Sequence, residues 1–233
     1  MVQLVLAAIL FLGTHIGISS SSLRDRLTAL LGERGYLFLY SFVAVVCITW
    51  LITLYNGLPR FDYLWMPSPQ THMVARVLMP FSLILAVGAF LVKNPTAVGA
   101  GALISGTGPG EASGAELAKG VLRITRHPFQ WGVVLWSVAH ILANGDTHSV
   151  VFFATFGLLA GMGSVALDRK RAAASSSAWE SFARTTSNLP FLAILQRRNR
   201  LQVGELWLPV LLGLILYLVL LRGHAWVSGV RIY

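Results

Sequence analysis

Six long apolar segments alternate with polar connections along this chain. The segments are residues 2–18, 36–55, 74–92, 128–144, 149–167 and 206–221. Each approaches the roughly 20 residues that an α-helix needs to cross a hydrocarbon core. Because lipid offers no partners to backbone polar groups, apolar runs of this length predict helices. The pattern therefore predicts an all-α polytopic membrane bundle of about six transmembrane helices, in a single domain over residues 1–233.

Composition and charge agree with a membrane location. Of 233 residues, 55% are hydrophobic and 12% are charged, with a mean hydropathy of +0.69. All but four of the 18 Lys and Arg residues fall in connections on one face of the six-span topology; the exceptions are Arg60, Arg76, Arg222 and Arg231. The positive-inside rule predicts that this face is cytoplasmic and that both termini lie on the other side. Topology and lipid headgroups thus explain the net charge of +9, and no nucleic acid is required.

Several local patterns argue against other classes of protein. The amino terminus lacks a basic region, and the serine run at 19–22 is not an obvious cleavage site, so a retained first helix is expected. Cys47 is the only cysteine, which excludes an intrachain disulfide. The glycine-rich stretch at 99–114 lacks the preceding strand and the Lys-Ser/Thr of a phosphate-binding loop, which favours a flexible linker. No hydrolase motif is present.

The most informative segment is residues 122–146, LRITRHPFQWGVVLWSVAHILANGD. Pro128 suits the first helical position, because its missing N–H would have no partner there. His127 then lies at the helix entrance and His140 inside the apolar run. Two basic residues beside the turn are candidate cofactor contacts: Arg123 and Arg126. A histidine is costly in lipid unless it binds or pairs with something, so the segment is a candidate site.

The histidines divide by their predicted depth. His15 and His127 form an inner pair near the cytoplasmic half, and His140 and His224 form an outer pair. Two more histidines fall in outer loops and are expected to be solvated or interfacial: His72 and His148. Imidazoles from different helices are able to ligate iron, copper or zinc, or clamp a haem; equally, each buried histidine could hydrogen-bond a neighbouring helix. On one straight helix His127 and His140 point roughly 140° apart, which disfavours their sharing one iron.

Two features of the fifth-to-sixth connection belong to the same cytoplasmic region. Asp168 closes the fifth span and could pair with Arg123 or Arg126, or contact lipid headgroups. A short polar helix is predicted around residues 178–184. The sequence TTSNLPF that follows (185–191) contains turn-forming Asn and Pro, and predicts a turn that folds back over the cytoplasmic mouth.

Five stretches together resemble the NnrU family of membrane proteins, which includes 15-cis-zeta-carotene isomerase. They are THIGISSSSLRDRL (14–27), LGERGYLFLYS (31–41), NPTAVG (94–99), RITRHPFQWGVVLWSVAHILANGD (123–146) and TSNLPF (186–191). The resemblance implies a multi-pass protein of the bacterial inner membrane, connected to denitrification proteins through nitrite and nitric oxide metabolism. Through the isomerase it also implies haem b and a hydrophobic polyene substrate. On that basis His15 and His127 are expected to ligate iron, with His140 and His224 as further candidates.

One departure and one more distant resemblance modify this expectation. The isomerase uses a cysteine in ligand switching, whereas Cys47 lies far along the chain from the Arg-His-Pro turn. This puts the isomerase activity in doubt more than the haem. The Arg-His-Pro turn also resembles that of isoprenylcysteine carboxyl methyltransferases, which bind S-adenosylmethionine at the cytoplasmic mouth. In that alternative Arg126 and His127 would meet the cofactor, and Asp168 and the TSNLPF turn (186–191) would cover it. A non-catalytic assembly factor is the remaining possibility.

Overall fold

The computed structural model describes residues 1–18, 22–97, 116–174 and 176–230. Its helices are α1 (Val2–Leu12), continued by a π-helical segment Gly13–Ile18, α2 (Ser22–Gly57), α3 (Pro69–Gly88), α4 (Pro128–Asn144), α5 (Thr147–Ala173), α6 (Ser177–Thr185), α7 (Leu192–Leu195) and α8 (Trp207–Ser228). Within those ranges the remaining regular structure is two 3₁₀ turns, Gly120–Arg123 and Val203–Glu205, and one β-bridge between Tyr63 and Asp146. The predicted linker at 99–114 and most of the serine run at 19–22 lie outside the described residues.

The all-helical prediction is confirmed for the described part of the chain. Four of its helices are long and apolar enough to cross a membrane: Leu23–Gly57, Pro69–Gly88, Thr147–Ala173 and Trp207–Ser228. They correspond to the second, third, fifth and sixth predicted spans. Helices α1 and α4 are shorter, at 11 and 17 residues. Six spans, and both termini on the non-cytoplasmic side, therefore stay predictions.

The chain divides into two compact units, and the single domain over 1–233 also stays a prediction. Unit 1 comprises Met1–Ala75 and Ser137–Ala166, and unit 2 comprises Arg76–Trp136 and Leu167–Tyr233. In unit 1 the ring of Tyr55 stacks on Phe152 with centroids 4.1 Å apart. The Tyr55 hydroxyl and the Ser149 hydroxyl lie 3.1 Å apart. Aromatic packing therefore joins the end of α2 to the beginning of α5 in unit 1.

Close helix contacts in unit 2 depend on small residues. The Ser82 hydroxyl of α3 donates to the Gly132 carbonyl of α4 at 2.7 Å. A methyl group at Gly132 would lie 2.8 Å from the Ser82 carbonyl oxygen, so the two helices meet at their backbones. Gly213 of α8 makes an equally close approach to Ile84 of α3. In lipid, where burial gives no hydrophobic driving force, such small residues allow dense helix packing.

The short polar helix predicted around 178–184 is confirmed as α6. The Ser176 hydroxyl accepts from the Trp179 N–H at 3.1 Å and caps its first turn. Trp179 and Phe182 are buried, and they pack with Leu117 and Leu122 into a small core in unit 2. This core fixes the connection after α5 beside the Arg-His-Pro turn.

Candidate functional site

His127 lies at the entrance of α4, as the Pro128 position predicts, and its side chain is completely buried. Its Nε2 is 2.7 Å from the Oδ1 atom of Asp168 near the end of α5. A carboxylate oxygen accepts, so Nε2 donates. Nδ1 is also buried and has no hydrogen-bond partner among the described residues. The imidazole is therefore held through Nε2, and Nδ1 is left as the acceptor nitrogen of the neutral ring.

Three side chains share the Asp168 carboxylate. Besides His127, the Arg126 Nε lies 3.3 Å from Oδ2, and the Asn188 amide donates to the same oxygen at 3.1 Å. The Arg126 N–H donates to the Ser187 carbonyl at 2.9 Å, which brings the 186–191 turn alongside. We call Arg126, His127, Asp168 and Asn188 the polar cluster; all four belong to unit 2. The predicted Asp168–Arg126 pair is confirmed, and the turn folds back onto it; that this is the cytoplasmic side stays a prediction.

The electrostatics of the polar cluster are those of a partly dehydrated ion pair. Burial lowers the pKa of the Arg126 guanidinium, the Asp168 carboxylate opposes that effect, and Arg198 adds to it. The Arg126 guanidinium also lies 5.7 Å from the centre of the Trp179 ring. The indole N–H of Trp131 donates to the Asn188 side-chain oxygen at 3.3 Å. Arg126 and Asn188 are therefore each fixed by a contact outside the cluster.

Arg123 does not pair with Asp168, so that alternative is wrong. It forms a bidentate pair with Glu205, with Nε–Oε2 at 2.7 Å and Nη2–Oε1 at 2.9 Å. The Gly120 N–H donates to the same carboxylate at 2.6 Å. Sequence reasoning missed Glu205, although it is the only acidic residue after Glu180 in a strongly basic region. The contact ties the turn before α4 to the segment before α8.

This contact predicts a specific loss of stability in acid. The hydrogen bonds from Arg123, with that from Gly120, hold the pKa of Glu205 below its usual value. Its stabilisation is therefore fully present above the ordinary glutamate range, about pH 4.3, and lost as pH falls through the lowered pKa. Because such partly exposed pairs contribute at most about 1 kcal/mol, we expect a decrease in Tm of about 2–4 °C. Thermal unfolding in detergent between neutral and acidic pH measures it. In Glu205→Gln this acid-dependent decrease in Tm should be absent. If the Tm of the wild type and of Glu205→Gln falls equally with pH, Glu205 is not its source.

His15 lies in the π-helical segment of unit 1. Its Nδ1 is 2.8 Å from the Phe11 carbonyl oxygen, and since a carbonyl only accepts, Nδ1 donates. The neutral ring then carries its lone pair on Nε2. The rings of Phe11 and Tyr40 lie 4.2 and 5.6 Å away by centroid. Single π-turns are frequent at functional sites, and a neutral imidazole is able to bind a metal through either ring nitrogen.

The other histidines have separate environments. His140 stacks on Phe153 in unit 1, with centroids 4.7 Å apart. The His224 Nδ1, in unit 2, lies 2.9 Å from both the Val230 carbonyl and the Ser228 hydroxyl. Since His15 and His140 belong to unit 1 and His127 and His224 to unit 2, the inner and outer pairs stay predictions.

The two outer-loop histidines differ from each other. His72 is exposed, as expected, with its Nε2 3.1 Å from the Ala143 carbonyl oxygen. His148, expected to be solvated, is only 6% exposed. The structure places it as the second residue of α5 and not in a loop, and the Asp146 carboxylate caps this helix by accepting from the Ser149 N–H at 2.9 Å. Among the described residues, no group of three or more His, Cys, Asp or Glu side chains is placed to hold a metal ion.

The family model described as NnrU protein matches residues 3–232. The chain belongs to the NnrU family. Over 205 residues, this NnrU chain is 29% identical to "15-cis-zeta-carotene isomerase, chloroplastic" of Zea mays, covering 86% of the chain and 52% of the maize protein.

A shorter match reaches the Arabidopsis thaliana protein of the same description. It is 39% identical over 82 residues, which is 34% of the NnrU chain and 22% of the relative. The chain thus spans about half the length of the maize relative, and less of the Arabidopsis one. No solved structure matches.

Proposed function

We propose that this NnrU chain binds haem b through histidines and isomerises a cis double bond of a linear polyene within the membrane. The observation that carries the proposal is the similarity to the maize isomerase over 86% of the chain. Its membrane character agrees with a carotenoid-like substrate, because such a molecule is soluble in lipid and not in water.

His15 and His127 are the ligands we propose, and their contacts suit that role. The Nδ1–H of His15 donates to a carbonyl oxygen, the arrangement that commonly fixes metal-binding histidines. Asp168 holds His127 by Nε2, and its buried Nδ1 has no described partner. Carboxylate–histidine pairing also raises the basicity of a ligating ring. When bound, haem would supply an iron centre of redox-dependent Lewis acidity.

An absorption spectrum of the purified protein, oxidised and then reduced, tests the cofactor. Cells supplied with a haem precursor should give protein with a Soret band and sharp reduced α and β bands. We expect His15→Ala and His127→Ala to lose most of this absorbance. His72→Ala is the matched control, because His72 is exposed and its Nε2 lies beside the Ala143 carbonyl oxygen. A colourless wild-type protein after haem supplementation would exclude haem binding.

Isomerisation needs its own assay. Reduced protein in proteoliposomes, given 15-cis-zeta-carotene, should convert it to the 15-trans isomer, as measured by chromatography. His15→Ala and His127→Ala should lose most of this activity, and His72→Ala should keep it. A coloured protein that leaves the polyene unchanged would favour a haem function in nitrite or nitric oxide metabolism. That link, its partner proteins and a bacterial inner membrane location stay predictions, and the plant relatives are described as chloroplastic.

S-adenosylmethionine binding is the second candidate. The observation that favours it is the convergence of Arg126, His127, Asp168 and the 186–191 turn, the residues expected around that cofactor. Equilibrium binding of labelled S-adenosylmethionine to the purified protein, weakened by Arg126→Gln, would support it. If His15→Ala and His127→Ala leave the absorption spectrum unchanged and Arg126→Gln leaves S-adenosylmethionine binding unchanged, the non-catalytic assembly role is favoured.

A further inference from the structure

The segment between α6 and α8 exposes large apolar side chains although it does not cross the membrane. Leu189 is 54% exposed, Phe191 48%, Leu195 76% and Val203 73%. The segment joins two candidate membrane spans, since α5 ends at Ala173 and α8 begins at Trp207. Its exposed apolar atoms are therefore held close to the membrane surface, where contact with lipid is more favourable than contact with water.

The backbone holds this surface in a fixed form. Phe191 has a φ of 64° and Arg197 a φ of 58°, a left-handed conformation that is rare for bulky residues. The Phe191 N–H donates to the Ile124 carbonyl at 2.8 Å. Helix α7 lies between Phe191 and Arg197 and directs Ala193 into the protein, where it is fully buried. Phe191 and Leu195 lie one turn apart on the opposite, exposed face. The strained residues thus support the outward presentation of two large side chains.

The charges beside these side chains are all positive. Arg197, Arg198 and Arg200 follow α7 directly and are exposed. Arg198 donates to the carbonyls of Ala183, in the last turn of α6, and of Thr186, just after it, which leaves Arg197 and Arg200 as the outward cations. No acidic residue occurs between Glu180 and Glu205, and Glu205 is bound to Arg123. This combination of exposed apolar and positively charged side chains is complementary to a lipid layer with negatively charged headgroups.

We propose that residues 189–207 are an in-plane membrane anchor for anionic phospholipids. Phe191 and Leu195 insert between headgroups, and Arg197 and Arg200 contact the lipid phosphates. Trp207, 65% exposed at the start of α8, lies at the same boundary, where tryptophan is enriched in membrane proteins. Basic residues next to a membrane span attract anionic lipid, and buried apolar side chains add to that attraction. This anchor is independent of the haem and isomerase proposal.

Lipid selectivity and insertion depth test the anchor on the full chain in lipid nanodiscs. The first measurement is electron spin resonance of spin-labelled phosphatidylglycerol and phosphatidylcholine at the protein surface. We expect preference for phosphatidylglycerol, decreased two- to threefold by Arg197→Gln with Arg200→Gln. Arg26→Gln with Arg34→Gln is the control, since it removes the same charge from exposed positions of α2. Equal decreases in both double variants would overturn the proposal, because net charge alone would explain them.

The second measurement locates Leu195. A nitroxide at Leu195→Cys, with Cys47→Ser, should be more accessible to oxygen than to a water-soluble nickel complex in discs containing phosphatidylglycerol. A label that stays in water would overturn the anchor. Dipolar broadening between labels would overturn it as well, by identifying the surface as a contact between two copies. Because Leu195 is exposed, its substitution should leave folding intact, and unfolding temperature and elution volume verify this.

Discussion

Asp168→Ala is expected to lower the free energy of unfolding by about 3 kcal/mol. The substitution removes the acceptor of His127, Arg126 and Asn188 together, at 2.7, 3.3 and 3.1 Å. His127 is fully buried, so water would not replace the lost partner of its Nε2. The Arg126–Asp168 pair is partly buried, and removing one member of such a pair costs more than the pair itself contributes, because the other charge is left unpaired. Thermal unfolding in detergent should show a decrease of roughly 6–12 °C.

The control for Asp168→Ala is an exposed carboxylate in the same region of the chain. Glu180 lies 4.0 Å from Arg184, with side chains that are 59% and 75% exposed, so Glu180→Ala should change stability by less than about 1 kcal/mol. A double-mutant cycle of Asp168→Ala with His127→Ala then isolates their coupling, expected at about 1–3 kcal/mol. If Asp168→Ala is as mild as Glu180→Ala, Asp168 does not support the polar cluster.

Parts of this arrangement follow from local sequence. Apolar runs of sufficient length predicted the second, third, fifth and sixth spans, which match α2, α3, α5 and α8. The Arg-His-Pro turn predicted the beginning of α4 because proline suits the first helical position. The pairing of Asp168 with Arg126 was one of two alternatives, since charge alone does not distinguish Arg126 from Arg123.

Other parts depend on information that hydropathy does not contain. Helix α5 continues to Ala173, beyond its apolar run, because a helix needs backbone hydrogen bonds and not lipid contact. The α2 range begins at Ser22 but is kinked at Gly32, where φ is 70°, shortly before the predicted span. Glu205 pairs with a residue far away in the chain, and many arginines are equivalent partners by sequence. His148 is buried as the second residue of α5, a helix that begins two residues before the predicted span. Such contacts are set by packing, which a single sequence does not specify.

Gly213→Ala should destabilise the protein by about 1–3 kcal/mol, because its hydrogen is replaced at a backbone-to-backbone contact. A methyl group there would lie 2.8 Å from the Ile84 Cα and 2.9 Å from the Ile84 nitrogen, and backbone atoms in a helix yield less readily than a side-chain end. Gly223→Ala on the same helix is the matched control. It has no atom within 4 Å of the added methyl, and alanine favours a helix by up to about 1 kcal/mol over glycine, so this variant should be neutral or more stable. Unfolding temperatures of the two variants, measured in one detergent, should therefore change in opposite directions or differ by several degrees. Equal changes would mean that α8 does not approach α3 through Gly213, and the small-residue packing of unit 2 would lose its main support.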